Sequence, residues 1–393
     1  MRMLLLYLTT FWASSVFCQL KKDDGTSSYL GSTPFQTLSG GVVMVTGTLD
    51  GWRDSLHFIL DTGSGGISID SSKASSMGFI SSESIRLSGI GGLKETSMSN
   101  QHTLHLNGIS TSNLNFNIYD YRLLSSIYGV EIDGVIGYAF FSRYIIHLDH
   151  EKNIMSIFSK GLHTYPKKGR FFQTGLGAVP TFPIVISDNT TTKHPFYFDS
   201  GAGLAVLLNA DYCSDSSIFT NQKKRFTTRA EGVGGKKRMQ LTTLKKCALG
   251  SFVFRDVPTY IFNDEFGVIG YPAQGGLLGN EILRRFNITL NYQEGLMHLT
   301  PNIHYNDPFE YGYSGFSMLV EGEDVLVEDV ITDSPAHSSG LRSGDIIVGI
   351  NGDFSGNIQI YRTMIQETEK PVKLLVKRNN ELLEMSFRPI SIL

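Results

Sequence analysis

Cysteine is scarce in this chain, with three residues in 393, at Cys18, Cys213 and Cys247. None stands in a zinc-type or Cys-His spacing, which argues against a metal site and against a thiol nucleophile. Charge of one sign is also lacking. The net charge is −3, charged residues make up 18%, and the cluster Lys236, Lys237, Arg238 is too short to be a basic stripe; nucleic acid is therefore not an expected partner. The apolar run 3–13 falls short of the ~20 residues a spanning helix needs, so no transmembrane helix is expected once the leader is removed.

What the chain has instead is a leader followed by a β-rich body. Arg2, the apolar run and the small or polar residues after it read as a secretory signal over residues 1–18, cleaved near Cys18 or Gln19. The protein is then exported, to the periplasm, the cell envelope or the medium. The alternative, Cys18 as a lipidated residue, is disfavoured by Phe17, which stands where that signal has a small residue. With Cys18 gone, Cys213 and Cys247 are left as one disulfide or as two buried thiols. Residues 19–35, which include the polar, aperiodic KKDDGTSS, read as a flexible N-terminal segment or short propeptide. The remaining length exceeds what one core organises. Apolar residues make up 41%, and Gly, Thr and Ser punctuate short apolar runs, which favours strands.

The body repeats itself. FILDTGSGGISI, with Asp61, and FYFDSGAGLAVLL, with Asp199, each run strand, tight loop, strand. Downstream of each comes a glycine-rich tip, at Ser88–Ser97 and Glu231–Gln240, that reads as a hairpin. A second strand pair follows, then two apolar residues and a glycine before a short helical stretch, at Gly137 and Gly279, and a closing strand pair. Asp61 to Gly137 is 76 positions and Asp199 to Gly279 is 80, as a duplication requires.

One Asp-hydroxyl-Gly is usually a turn; two in matching frames point to acid-base chemistry. The chain here resembles the aspartic proteases of the pepsin and retropepsin kind, over about Gly40 to Pro301. That resemblance implies a mainly β fold of two pseudo-twofold-related β-barrel lobes, residues 36–165 and 166–303. It also implies Asp61 and Asp199 as catalytic, in a monomer without metal or organic cofactor. Like charges ~4 Å apart repel by ~4 kcal/mol even at an effective dielectric of 20, so the pair shares a proton. One carboxylate then acts as base on a water while the other polarises the scissile carbonyl of a peptide or protein substrate. Thr62 and Ser200 are expected to lock the loops across the axis, with Gly63 and Gly201 allowing close approach. Ser64 has no hydroxyl counterpart, since Ala202 stands in its place. A hydroxyl on Asp61 would stabilise its ionised form, which assigns the proton to Asp199. Gly89, Ile90, Gly91 and Gly92, with Gly232, Val233 and Gly234, fall where the family carries flaps; ordinary hairpin turns are the alternative.

Beyond Pro301 a turn-rich connector leads to Ser334–Gly352, which resembles the core of PDZ domains and implies a small α+β domain over 304–393. Tyr313, Ser314, Gly315 and Phe316 fit its carboxylate-binding loop. Ser317 and Met318 begin the strand that would pair with a peptide C-terminus. The combination resembles bacterial envelope proteins. The reading is an exported aspartic endopeptidase whose PDZ domain recruits or regulates peptide substrates; the alternative is a non-catalytic envelope protein that binds peptides through its PDZ domain.

Overall fold

The computed structural model describes residues 25–390 apart from 82, 90–91, 176, 233–234, 266, 310–313 and 367–369. Short alternating apolar segments bounded by Gly, Asn and Asp turns become strands throughout. The first lobe runs β1 (Tyr29–Thr37), β2 (Val43–Leu49), β3 (Leu56–Leu60), β4 (Ile67–Asp70), α1 (Ser71–Ser76), β5 (Glu83–Gly89), β6 (Gly92–Leu106), β7 (Ile109–Tyr119), α2 (Arg122–Tyr128), β8 (Gly134–Ile136), α3 (Tyr138–Phe141), β9 (Ile145–Asp149) and β10 (Ile154–Phe158). The second repeats it as β11 (Arg170–Gln173), β12 (Thr181–Ser187), β13 (Thr191–Phe198), β14 (Val206–Asn209), α4 (Ala210–Asp215), β15 (Phe226–Gly232), β16 (Gly235–Leu249), β17 (Phe252–Phe262), β18 (Gly276–Leu278), α5 (Asn280–Leu283), β19 (Phe286–Asn291) and β20 (Leu296–Pro301).

The repeat extends to the hydrogen bonding. In the first lobe β2-β3-β8-β4-β7-β6 closes into a barrel, because β6 also pairs with β2. In the second, β12-β13-β18-β14-β17-β16 closes because β16 pairs with β12. Both barrels use the same parallel contacts, β3 with β8 and β4 with β7, matched by β13 with β18 and β14 with β17. The lobes join in a six-stranded run β11-β20-β19-β9-β10-β1, where β9 and β19 pair antiparallel from Leu148 opposite Ile288 to Ile145 opposite Asn291. Aromatic residues fill the barrels: Phe58, Phe116, Phe140 and Phe141 in one, Phe196, Phe198 and Phe286 in the other, all essentially inaccessible to water. Each is worth about 2–3 kcal/mol of burial.

One expectation is corrected. The stretch 19–35, read as flexible, contains the first seven residues of β1, which pairs with both β10 and β2. Thr33 and Phe35 point inward; the weak alternation of YLGSTPF and its Pro34 hid a strand that the interlobe sheet needs at its edge. Residues 1–18, read as a leader, lie outside the described residues. Cys213 and Cys247 are free thiols, and burial pushes both up to about 12.

The last domain is a five-stranded sheet, β21 (Phe316–Glu321), β22 (Asp324–Val330), β23 (Ile346–Ile350), β24 (Val372–Arg378) and β25 (Glu381–Phe387), with α6 (Pro335–Ser338) and α7 (Ile358–Met364). It has its own core around Val327, Ile347, Tyr361, Leu374 and Val376. The connector into it is held by Arg285, 1% exposed. Its guanidinium donates to the carbonyls of His304, Tyr305, Asp307 and Pro308 and lies 4.1 Å from the Phe309 ring centroid. Among the described residues no helix is long and apolar enough to cross a membrane.

Candidate active site

Asp61 and Asp199 each follow the buried end of a strand, β3 and β13. Their backbone N–H groups donate to Ile136 and Leu278 carbonyls on the neighbouring parallel strands, at 2.9 and 3.0 Å. Each carboxylate then accepts from its own turn. The Gly63 N–H reaches Asp61 Oδ1 at 2.7 Å, while the Gly201 and Ala202 N–H groups reach Asp199 Oδ1 at 2.9 and 3.1 Å. These contacts aim both side chains at the pseudo-twofold axis, where each carboxyl lies against the glycine beside the other and the two perturb each other's ionisation.

Four reciprocal bonds hold the loops together. The Thr62 hydroxyl donates to the Phe198 carbonyl at 2.7 Å and accepts from the Ser200 N–H at 3.0 Å. The Ser200 hydroxyl donates to the Leu60 carbonyl at 2.9 Å and accepts from the Thr62 N–H at 3.0 Å. Both residues are buried, so each bond lies away from water, where an unmade one costs ~1–3 kcal/mol. Glycine is required beside each Asp for space. A Cβ on Gly63 would lie 2.6 Å from the Asp199 carboxyl carbon, and one on Gly201 would lie 2.4 Å from that of Asp61.

The electrostatics are asymmetric. Burial raises both carboxyls, and the Asp61 charge lifts Asp199 well above the usual carboxylate range. Asp61 is raised less, because the Asp199 side chain and the N–H groups of Gly63, Ser64 and Gly201 stabilise its ionised form. Of the two, Asp61 is the one whose ionised form its surroundings stabilise more. The Ser64 hydroxyl is not the cause: Ser64 contributes its backbone N–H, and among the described residues no bond runs from its side chain to Asp61.

Behind the dyad, Gly137 and Gly279 each end an apolar pair and begin a short helix that braces the opposite side of the loop. The Tyr138 N–H donates to Ser64 O at 2.9 Å, and the Asn280 N–H to Ala202 O at 2.7 Å. A Cβ on Gly137 would meet Ser64 O at 2.4 Å, and one on Gly279 would meet Leu204 O at 2.2 Å. Sequence reasoning missed Tyr128, the last residue of α2. Its hydroxyl would lie 3.4 Å from a Cβ on Gly203 in the Asp199 loop, and its ring packs with Val42, Ile59 and Val135 under the Asp61 strand. Burial is the main reason its hydroxyl is pushed up to about 12. The segment between β7 and β8 carries α2 while that between β17 and β18 carries no helix among its described residues; this departure from the repeat was the available signal.

The glycine-rich tips are hairpins, β5 with β6 and β15 with β16, closing at Gly89 opposite Gly92 and Gly232 opposite Gly235. Ile90, Gly91, Val233 and Gly234 lie outside the described residues, as does Tyr313. In the last domain, Gly315 takes φ 75°, and its carbonyl accepts from the Ile331 N–H at 2.8 Å. Ser314 O accepts from the Ala336 N–H at 3.0 Å. Phe316 packs on Phe387, Ser317 Oγ reaches Glu328 at 3.4 Å, and Met318 is buried in the core. Among the described residues no group of three or more His, Cys, Asp or Glu is placed to hold a metal ion.

Two closed barrels that each deliver an Asp-hydroxyl-Gly loop to one axis, followed by a separate five-stranded domain, define the two-lobed aspartyl protease class with an appended PDZ domain. Residues 45–140 and 183–282 both match the aspartyl protease family model, and 326–378 match that of the PDZ domain. The chain is thus a retropepsin-like aspartyl protease in family, in tandem form, with a PDZ domain behind it. No curated protein gives a significant match.

Proposed function

We propose that the chain is an exported endopeptidase in which Asp61 and Asp199 activate a water against a peptide bond. The observation that carries this is the pair itself: two carboxyls, each against the glycine of the other's loop, in duplicate loops held by the reciprocal Thr62 and Ser200 bonds. With the proton on Asp199, Asp61 is the general base. It takes a proton from the water as that water adds to the carbonyl, while Asp199 donates to the carbonyl oxygen. The oxyanion charge is thereby neutralised without a covalent intermediate. One copy supplies both carboxyls, so a monomer suffices. The paired hairpins are the elements that would close over a bound peptide. Export rests on the leader at 1–18, and N-terminal sequencing of the exported product checks it.

The test incubates the protein with a mixed peptide library from acidic to neutral pH beside Asp61→Asn. The expected result is cleavage by the wild type that the variant loses by at least about 1,000-fold, since the loss removes the base itself. Absence of any variant-sensitive cleavage over the whole range would overturn the reading.

A further inference from the structure

A PDZ groove lies between an open strand edge and a helix. Here the strand is β21, which among the described residues pairs only with β22, and the helix is α7. The space beyond the Ser314–Phe316 loop is not left to a foreign peptide. Helix α2 of the first lobe stands in it. The Ser126 hydroxyl donates to the Val320 carbonyl on the open edge of β21. Arg362 of α7 uses one nitrogen, Nη2, to bridge the Met318 carbonyl at 3.2 Å and the Ile127 carbonyl at 2.8 Å. Gln359 donates to the Tyr128 carbonyl at 2.7 Å and accepts from the Ser39 N–H at 3.0 Å. The last carbonyls of a helix have no partner within it; the final two of α2, of Ile127 and Tyr128, find theirs on α7. Gly129, at φ 64°, completes the fit: a Cβ there would lie 2.3 Å from Ile358 Cγ2 and 3.3 Å from Val320 Cγ2.

The other end of this contact is the dyad. Tyr128 turns away from the groove into the packing beneath Asp61 and against Gly203. Helix α2 is therefore seated between the PDZ groove and the active-site loops. The joint combines a few polar side chains with the small apolar contact of Gly129 on Ile358 and Val320, and a cleft of about 410 Å³ lined by Arg122, Ser126, Glu131, Asp133, Val320 and Gly322 remains beside it. A polar, incompletely packed contact between domains is of the separable kind.

We propose that the PDZ groove is the receptor for helix α2 of its own chain, and that a peptide ending in a free carboxylate competes for it, releasing α2 and slackening the dyad. The effect on cleavage rests on the proteolytic reading; the docking does not. The test uses the full chain and two variants. Arg362→Ala removes the bridge. Gly129→Asn tolerates the positive φ but drives a Cβ into Ile358, opening the groove without altering its walls. Hydrogen exchange at residues 123–129 is expected to rise at least tenfold in both variants, with β9 and β19 still protected. Beads carrying random octapeptides with free carboxylates are expected to retain Gly129→Asn at least tenfold more than wild type, and amidated beads are not. Unchanged exchange in both variants, or equal retention of Gly129→Asn and wild type, overturns the docking. If wild type cleaves, the free-carboxylate peptides are expected to slow it severalfold; unchanged turnover at saturation overturns the coupling. If wild type cleaves nothing, the proteolytic reading falls while exchange and retention still decide the docking.

Discussion

A half-buried carboxyl pair set face to face costs stability, and Asp199, the more strongly raised of the two, carries most of that cost. Its folded carboxyl is raised, so its stabilising contribution is complete below the ordinary carboxylate range and is lost as pH climbs through the raised value. Asn keeps the shape and never ionises. Asp199→Asn is therefore expected to abolish cleavage while its melting temperature at pH 7 rises by about 1–2 °C, the shift that ~1 kcal/mol gives in a chain of 393 residues. Scanning calorimetry at pH 4 and 7 checks this, with the gain largest at pH 7. A melting temperature at pH 7 no higher than that of wild type would count against the shared proton. The dyad was legible in the sequence because two Asp-hydroxyl-Gly loops stand in matching frames. The cause of its asymmetry was not, since Ser64 acts through its N–H, a group that every residue but proline has.

At the scale of elements, the strand-loop-strand units and the apolar-apolar-glycine braces were readable because strand alternation and glycine punctuation are local. Why Gly137 must be glycine is a matter of three dimensions: the site of its missing Cβ is bounded by two backbone oxygens, of Ser64 and Gly66, each 2.4 Å away. Gly137→Ala is expected to cost roughly 1–3 kcal/mol, as overpacking does, and to lower kcat more than it raises KM, because the Asp61 loop is displaced. Denaturant midpoints and steady-state kinetics measure the two effects. Wild-type values for both would show that the brace has slack. Strand β1 escaped the reading because its partners supply its alternation, and α2 docking escaped it because it joins polar side chains to carbonyls more than 190 residues away.

The whole molecule adds a pH dependence that no single lobe has. His150 sits where the first lobe meets the second: its ring packs on Phe35 at 5.4 Å, its backbone N–H donates to Asn287 Oδ1 at 2.9 Å, and its ring Nε2 is buried with no partner among the described residues. Burial, aided by His304 and Arg284, lowers it to about 4. A base held neutral by the fold gives its full contribution above the unfolded value of ~6.5 and loses it as pH falls towards 4. That span is worth roughly 3 kcal/mol. Denaturant titrations at pH 4.5 and 7 are expected to show wild type losing stability that His150→Leu keeps; parallel losses would assign acid sensitivity elsewhere.

The single helix α2 also bears on why two lobes share one chain. Two separate identical halves would present every loop twice, so any seat for an accessory domain would exist in duplicate. Fusion removes that obligation. One copy of the loop before the brace could change into a helix while its twin stayed as it was, giving a two-lobed body with one handle and one hand to hold it.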